Sequence, residues 1–252
     1  MAFDKEWKPT PPQAVFASLP WSIKEAFFGG GVGGGKSDLL LILCILLRLY
    51  LNPRFKQLFL RRTYKELKLE IVPRSRDLYT RFGATWNGSD MAWTFPRPGQ
   101  LGQKERQNTG AMIFMGHCEH LNDVHNYDSM EINLFTPDEL TSFEEAMYIY
   151  ISGTRVRTSD PTLPAITRAA GMPGGIGHKF VYNRFVKPCE KGGVIIIGKA
   201  GVKRFYVHAT LENNPYIDPD YKQSILALPE AEKRAKLGDW SAYEGQVFDE
   251  FR

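Results

Sequence analysis

The sequence predicts an α/β fold, a mainly parallel central sheet flanked by helices, and three observations carry that expectation. The apolar run Ala26-Phe27-Phe28 enters a glycine-rich turn, and residues 38–51 after it hold no Gly or Pro and are rich in Leu, so strand, turn and buried helix follow one another. A second apolar run, Ile132, Leu134 and Phe135, ends in Thr136-Pro137-Asp138-Glu139 and leads into a helical stretch over residues 140–149. Further strand-like runs stand at residues 57–62, 91–95, 111–115, 164–170 and 205–210.

Size and composition bound the rest. At 252 residues the chain is one large domain or one and a half ordinary ones. With 43% hydrophobic and 24% charged residues it is ordinary for a globular protein, which excludes wholesale disorder. A formal charge of +4 and a pI near 8.8 permit a nucleic-acid partner without requiring one. Cys44, Cys118 and Cys189 are odd in number and far apart, which fits a reducing cytoplasm and neither a zinc site nor a disulfide framework. The most apolar run, residues 39–47, is cut by Arg48 and falls short of the roughly 20 residues that a membrane span needs. Met1 to Glu6 carries no signal-peptide pattern.

In chain order, Pro9-Thr10-Pro11-Pro12-Gln13 leads into a short helix over residues 14–19. The Gln13 amide can donate and accept together, as the edge of an adenine base requires, while a solvated surface Gln is the plainer reading. Next, Gly30-Gly31-Val32-Gly33-Gly34-Gly35-Lys36-Ser37 fits Gly, four residues, Gly-Lys-Ser, the pattern of a phosphate-binding loop. Glycines let the backbone wrap a polyphosphate so that successive N–H groups point at its oxygens. Lys36 would reach the β and γ phosphates, and the Ser37 hydroxyl would ligate Mg²⁺. A flexible linker with an accidental Lys-Ser pair is the alternative, and the apolar helix that follows argues against it. Pro53 is expected to stop that helix.

Residues 57–62 read as a buried strand with a basic end, and residues 64–82 as a helix interrupted at Pro73. Its Lys65, Lys68, Arg74, Arg76 and Arg81 read as a solvated basic face, with a DNA-contacting face as the alternative. Trp86-Asn87-Gly88-Ser89 reads as a hairpin turn, and residues 96–110, basic at Arg97, Lys104 and Arg106, as a loop.

The acids at the end of the 132–135 run supply the second half of the chemistry. The first, Asp138, would orient the hydrated Mg²⁺; the second, Glu139, would polarise the attacking water. Pro137 marks the last strand residue, where a ladder N–H is no longer needed. Arg155 and Arg157 lie one residue apart, so on an extended segment both face one side, towards a phosphate or acidic partner or as a charged edge strand. The glycine-rich turn of residues 171–178 follows a strand and can lie near bound phosphate. Residues 179–186 read as helical. His178 and His208 lack metal-ligand spacing and read as structural. From Pro219 two helical segments, residues 220–228 and 229–236, form a small cap, and the chain stops on Arg252 as the front part of a longer protein would.

This ordered set of motifs resembles the large terminase subunit of tailed bacteriophages, the ATP-driven motor that pumps viral DNA into a capsid. The resemblance covers almost the whole chain. It rests on the Pro-Thr-Pro-Pro-Gln start, the phosphate loop, Leu60-Arg61-Arg62-Thr63, Asp138-Glu139-Leu140-Thr141 and Pro173-Gly174-Gly175-Ile176-Gly177-His178-Lys179-Phe180-Val181. Asn214-Pro215 with Tyr221, and Gly238-Asp239-Trp240 with Glu244-Gly245-Gln246-Val247-Phe248, complete it. The sequence departs from the resemblance at Val32, where many terminases carry Arg, at Met172, where relatives often carry Asn, and at Asn213, where they often carry Asp.

The resemblance implies a P-loop NTPase of the additional-strand, catalytic-glutamate (RecA-like) type, with an ATPase core over residues 1–210. Residues 211–252 would be a helical lid and exit segment towards a nuclease domain that this chain lacks. ATP and Mg²⁺ are the implied cofactors. Gly30 to Ser37, Gln13 and Asp138 would bind nucleotide and metal, and Glu139 and Lys36 would act in hydrolysis. An arginine would answer the charge developing on the γ-phosphoryl group, in cis or from a neighbour; Arg62, Arg155 and Arg157 are the candidates. Implied partners are double-stranded viral DNA, the portal protein, the small terminase subunit and further copies in a ring, a pentamer, in the host cytoplasm during virion assembly. A nucleotide kinase and a nucleotide-gated assembly protein without turnover are the competing functions.

Overall fold

The computed structural model describes residues 7–97 and 110–243. Met1 to Glu6, most of the expected loop at residues 96–110 and the tail from Glu244 onward lie outside the described residues. In chain order the elements are α1 (Pro11–Ala17), β1 (Glu25–Gly30), α2 (Lys36–Leu46), β2 (Lys56–Arg61), α3 (Tyr64–Glu66), α4 (Val72–Tyr79), β3 (Thr85–Asn87), β4 (Ala92–Thr94) and β5 (Met112–His117). They continue with β6 (Leu134–Pro137), α5 (Glu145–Thr154), β7 (Ile166–Gly171), α6 (His178–Val181), β8 (Ile195–Ile197), β9 (Lys203–Ala209), α7 (Pro219–Leu226) and α8 (Glu230–Lys236).

The chain forms two compact units, and their boundaries fall inside the chemical motifs. The first holds residues 1–8, 37–138 and 146–168; the second holds 9–36, 139–145 and 169–252.

In the first unit the strand order is β3-β4-β5-β2-β6-β7. β2 runs parallel to both β5 and β6, with Leu58 opposite Phe135 and Leu60 opposite Pro137, and β6 runs parallel to β7. β3 and β4 form the expected hairpin and add antiparallel rungs at the edge. β6 is buried throughout and β2 along its middle, so both read as apolar runs and not as alternating ones. The segment Leu39 to Ile45 of α2 is buried all round, as its leucines require. Three buried polar groups inside the unit are paired: Gln57 Nε2 donates to Thr136 Oγ1 at 2.9 Å, Tyr79 Oη to the Leu41 carbonyl at 2.8 Å, and Trp93 Nε1 to Ser75 Oγ at 2.9 Å.

In the second unit the order is β7-β1-β9-β8, with β1 parallel to β9 and β8 antiparallel to it. Phe27 of β1 stacks on Tyr206 of β9 and on Phe185, and meets Trp240 edge-on. Glu25 takes a two-pronged ion pair from Arg184, at 2.8 and 2.9 Å. Val32 of the glycine loop packs with Leu211 and Ile225, joined by Met172, Ile217, Leu228 and Leu237.

Four local expectations change. The helix expected to run to Leu51 ends at Leu46, because Arg48 takes a left-handed turn (φ 55°) that brings Leu49 into the core before a 3₁₀ turn. The helix expected over residues 140–149 begins only at Glu145. Leu140–Ser142 is a 3₁₀ turn, and the Thr141 carbonyl is taken by the Gly177 N–H at 2.8 Å, so it is not available to a helical ladder there. Around Pro73 the backbone stays helical by widening to a π-turn over Leu67–Ile71, which absorbs the missing N–H. The strand β8 has no counterpart among the expected elements, although Val194-Ile195-Ile196-Ile197 between glycines is a β-branched run.

Candidate active site

The glycine loop leaves β1 at its carboxyl end, and its geometry follows from its glycines. Gly30, Gly33 and Gly35 have φ of 140°, 72° and 65°. A Cβ on Gly33 would meet Ile217 Cδ1 at 2.3 Å, and one on Gly35 would meet Gln13 Nε2 at 2.5 Å. Lys36, 7% exposed, turns back and donates to the Gly31 carbonyl at 2.5 Å. Gln13 is buried against the loop. Its Oε1 accepts from Thr10 N–H at 2.9 Å, and its Nε2 donates to the Gly35 carbonyl at 3.1 Å and the Gly34 carbonyl at 3.4 Å. The other side is held by residues of the segment expected to be a lid: Val32 N–H donates to the Lys236 carbonyl at 2.7 Å, and Asn214 Nδ2 to the Gly33 carbonyl at 2.5 Å. Val32 is thus an apolar anchor for the loop.

The first unit supplies Ser37, Asp38 and Asp138. Asp138 follows the last residue of β6; its N–H donates to the Leu60 carbonyl at 2.9 Å and its side chain is 1% exposed. Parallel register sets Arg61 beside it, and Arg61 Nε lies 3.1 Å from Asp138 Oδ2. Asp38, in the first turn of α2, pairs with Arg74 at 3.5 Å. Its carboxyl pKa is raised, chiefly by desolvation, with Arg74 opposing and the Asp138 charge adding to the rise, so the two acids lie within electrostatic reach.

Glu139 belongs to the second unit. It holds a left-handed backbone, φ 55° and ψ 52°, which is uncommon for a residue with a Cβ and concentrates at working sites. Its carbonyl accepts from Ser142 N–H at 2.8 Å and from Ser142 Oγ at 2.7 Å. The glycine-rich turn after β7 packs on this same turn: a Cβ on Gly175 would meet the Thr141 carbonyl oxygen at 2.5 Å. His178 Nδ1 accepts from Gly174 N–H at 3.1 Å, and its ring stacks on Trp240, a packed and hydrogen-bonded role.

The arginines are placed as follows. Arg62 donates to the Cys118 carbonyl at 2.7 Å and touches Met147 Sδ at 3.0 Å. Arg155 bonds the Asp128 carbonyl, lies 3.8 Å from that carboxylate and sits over the Tyr150 ring. Arg157 is exposed. Two arginines that the sequence reading passed over stand out: Arg61, whose signal was its position at the end of a strand neighbouring the acids, and Arg168. Arg168 is buried in β7, where desolvation pushes its pKa down to about 10.

The residues fit a phosphate-borne divalent cation. The donors are hard oxygens, a hydroxyl and carboxylates, and among the described residues no cluster could hold a metal unaided. This is the habit of Mg²⁺, which arrives on substrate phosphates and takes one or two carboxylates. A cavity of about 510 Å³ is lined by Tyr182, His208, Asp239 and Trp240, all outside the glycine loop.

Comparison with solved structures decides the fold. The large terminase of a thermophilic bacteriophage superposes with a TM-score of 0.68 at 10% identity, over 93% of this chain and 54% of that one. The chain has the fold of a phage large terminase ATPase domain. The Thermus phage P74-26 large terminase ATPase domain matches with a TM-score of 0.59 at 15% identity, over 93% of this chain and 94% of that domain. The Phi-28 gp11 DNA packaging motor gives 0.51 at 12%, over 97% and 70%. The chain therefore spans about half the length of the first of these terminases. That terminase has also been solved in complex with ATP-gamma-S and with ADP. No family model matches the sequence, and no curated protein matches it. The terminase ATPase fold agrees with the α/β, mainly parallel sheet expected from the sequence.

Proposed function

We propose that this chain is a Mg²⁺-dependent ATPase whose hydrolysis drives double-stranded viral DNA into a procapsid. The observation that carries the reading is that one terminase-like fold holds two charged strand ends: a glycine loop with Lys36 after β1, and Asp138-Glu139 after β6. Residues 1–210 would form the ATPase core and residues 211–252 a lid and exit segment.

In this reading the loop amides and Lys36 hold the β and γ phosphates, and Ser37 and Asp138 hold the metal, Asp138 through its water shell. When bound, Mg²⁺ neutralises charge on the phosphate oxygens. Glu139 takes a proton from water aligned with the γ-phosphate. Gln13 braces the loop with its amide hydrogens, and the remaining lone pair of Oε1 can accept from the adenine amino group. An arginine answers the charge developing on the γ-phosphoryl group, with Arg62, Arg155 and Arg157 as candidates from a neighbouring subunit of a pentameric ring. The portal protein, the small terminase subunit and the host cytoplasm complete the proposed setting. No described helix is long and apolar enough to cross a membrane.

Phosphate release by the unmutated chain and by Glu139→Ala, with and without double-stranded DNA, tests this. Loss of release in the variant supports a hydrolase. Phosphoryl transfer to an acceptor that survives Glu139→Ala would favour a kinase, and nucleotide binding without turnover an assembly switch. DNA affinity should fall steeply with salt, since the contacts proposed are to phosphates.

A further inference from the structure

Asp138 stands at the end of a buried strand with its carboxylate almost wholly removed from water. Burying a carboxylate is costly, and an opposite charge alongside offsets that cost. Two structural features deliver one. The bond from Asp138 N–H to the Leu60 carbonyl locks the two strand ends together, and the next residue of β2, Arg61, thereby falls alongside. The Arg61 side chain is itself only 14% exposed, so it is tucked against the acid and does not wave in solvent.

We propose that Arg61 is a positioning residue that stands in for the metal: it holds the Asp138 carboxylate in place while no metal–nucleotide is bound, and yields it when one arrives. The proposal rests on the Mg²⁺-nucleotide reading above. Its consequence is a linkage. If Arg61 stabilises the empty state and not the loaded one, removing it must lower the stability of the empty protein and tighten the metal by the same factor. A purely structural arginine would destabilise both states alike.

The test uses Arg61→Gln, with Mn²⁺ as the probe ion read by electron paramagnetic resonance in the presence of saturating ATPγS. A several-fold tighter Mn²⁺ Kd is expected, together with a melting temperature lowered without ligand and restored by Mn²⁺ with ATPγS. An unchanged or weaker Kd, or a deficit that persists in the loaded state, overturns the proposal. Should the variant not fold, the unmutated chain answers instead. With ¹⁵N-labelled arginine, the Arg61 Nε–H resonance, assigned by its loss in Arg61→Lys, should move on adding Mg²⁺ with ATPγS and stay in place with metal-free ATPγS. A resonance that ignores the metal overturns the proposal while leaving nucleotide binding intact. A chain that binds no ATPγS by equilibrium dialysis instead overturns the nucleotide reading itself, and this proposal with it.

Discussion

The Lys36 ammonium donates to the Gly31 carbonyl at 2.5 Å, so the lysine proposed to hold phosphate is folded back onto its own loop. An ammonium only 7% exposed needs such an acceptor, and phosphate oxygens would have to replace it. Lys36→Met should therefore act on two observables. The protein without ligand should lose about 1.5–3 kcal/mol of stability, the worth of one hydrogen bond to a charged group, seen as a lower urea midpoint. ATPγS affinity in a fluorescence titration should fall at least tenfold, and a variant that still binds normally would exclude Lys36 from the phosphate site.

Gln13 is tested by the polarity of its amide. Gln13→Ala leaves the Thr10 N–H and the loop carbonyls of Gly34 and Gly35 without their side-chain partner, a loss of about 1–3 kcal/mol. Gln13→Glu should be worse, because a carboxylate still accepts from Thr10 but sets negative charge against two carbonyl oxygens. Urea unfolding of both variants checks the order. If the Glu variant is the more stable of the two, the amide does not brace the loop.

The loop, the acids and most strands were legible because each depends on local chemistry: glycines at positive φ, Lys-Ser opening a helix, apolar runs ending in charge. What escaped depends on register and tertiary bonds. Arg61 looked like its neighbour Arg62 until β2 and β6 paired, which sends Arg61 to Asp138 and Arg62 to the Cys118 carbonyl. The helix start after Glu139 was misplaced because the competitor for Thr141, the Gly177 N–H, lies 36 residues further along the sequence. β8 alone was readable and passed over, since its isoleucines sit between glycines at the sheet edge.

Glu139 combines a proposed catalytic carboxylate with a backbone that glycine would adopt freely. Glu139→Gly should thus remove about 1 kcal/mol of backbone strain while abolishing phosphate release. A raised urea midpoint with no turnover is the expected pair of results. A lowered midpoint would show that the Glu139 side chain stabilises the turn by more than its backbone costs.

His208 gives a pH dependence whose direction follows from a hydrogen-bonded chain. Trp240 Nε1 donates to Tyr206 Oη at 3.2 Å, and Tyr206 Oη lies 2.7 Å from His208 Nδ1. In the neutral imidazole with its proton on Nε2, Nδ1 accepts the tyrosine hydrogen while the tyrosine oxygen accepts from the indole. Protonation would set a second N–H against the buried hydroxyl, and burial already lowers the His208 pKa below the usual 6.5. The unfolded chain then binds more protons than the folded one as pH falls below 6.5. This contribution to stability is complete above that value and is lost as pH drops through the folded-state pKa. Melting temperatures between about pH 5 and pH 7.5, a range centred on the ordinary histidine pKa, should decline more steeply for the unmutated chain than for His208→Asn. Equal slopes would place the acid sensitivity elsewhere, whereas a flattened slope with a lower melting temperature at neutral pH would assign it to the Trp240–Tyr206–His208 chain.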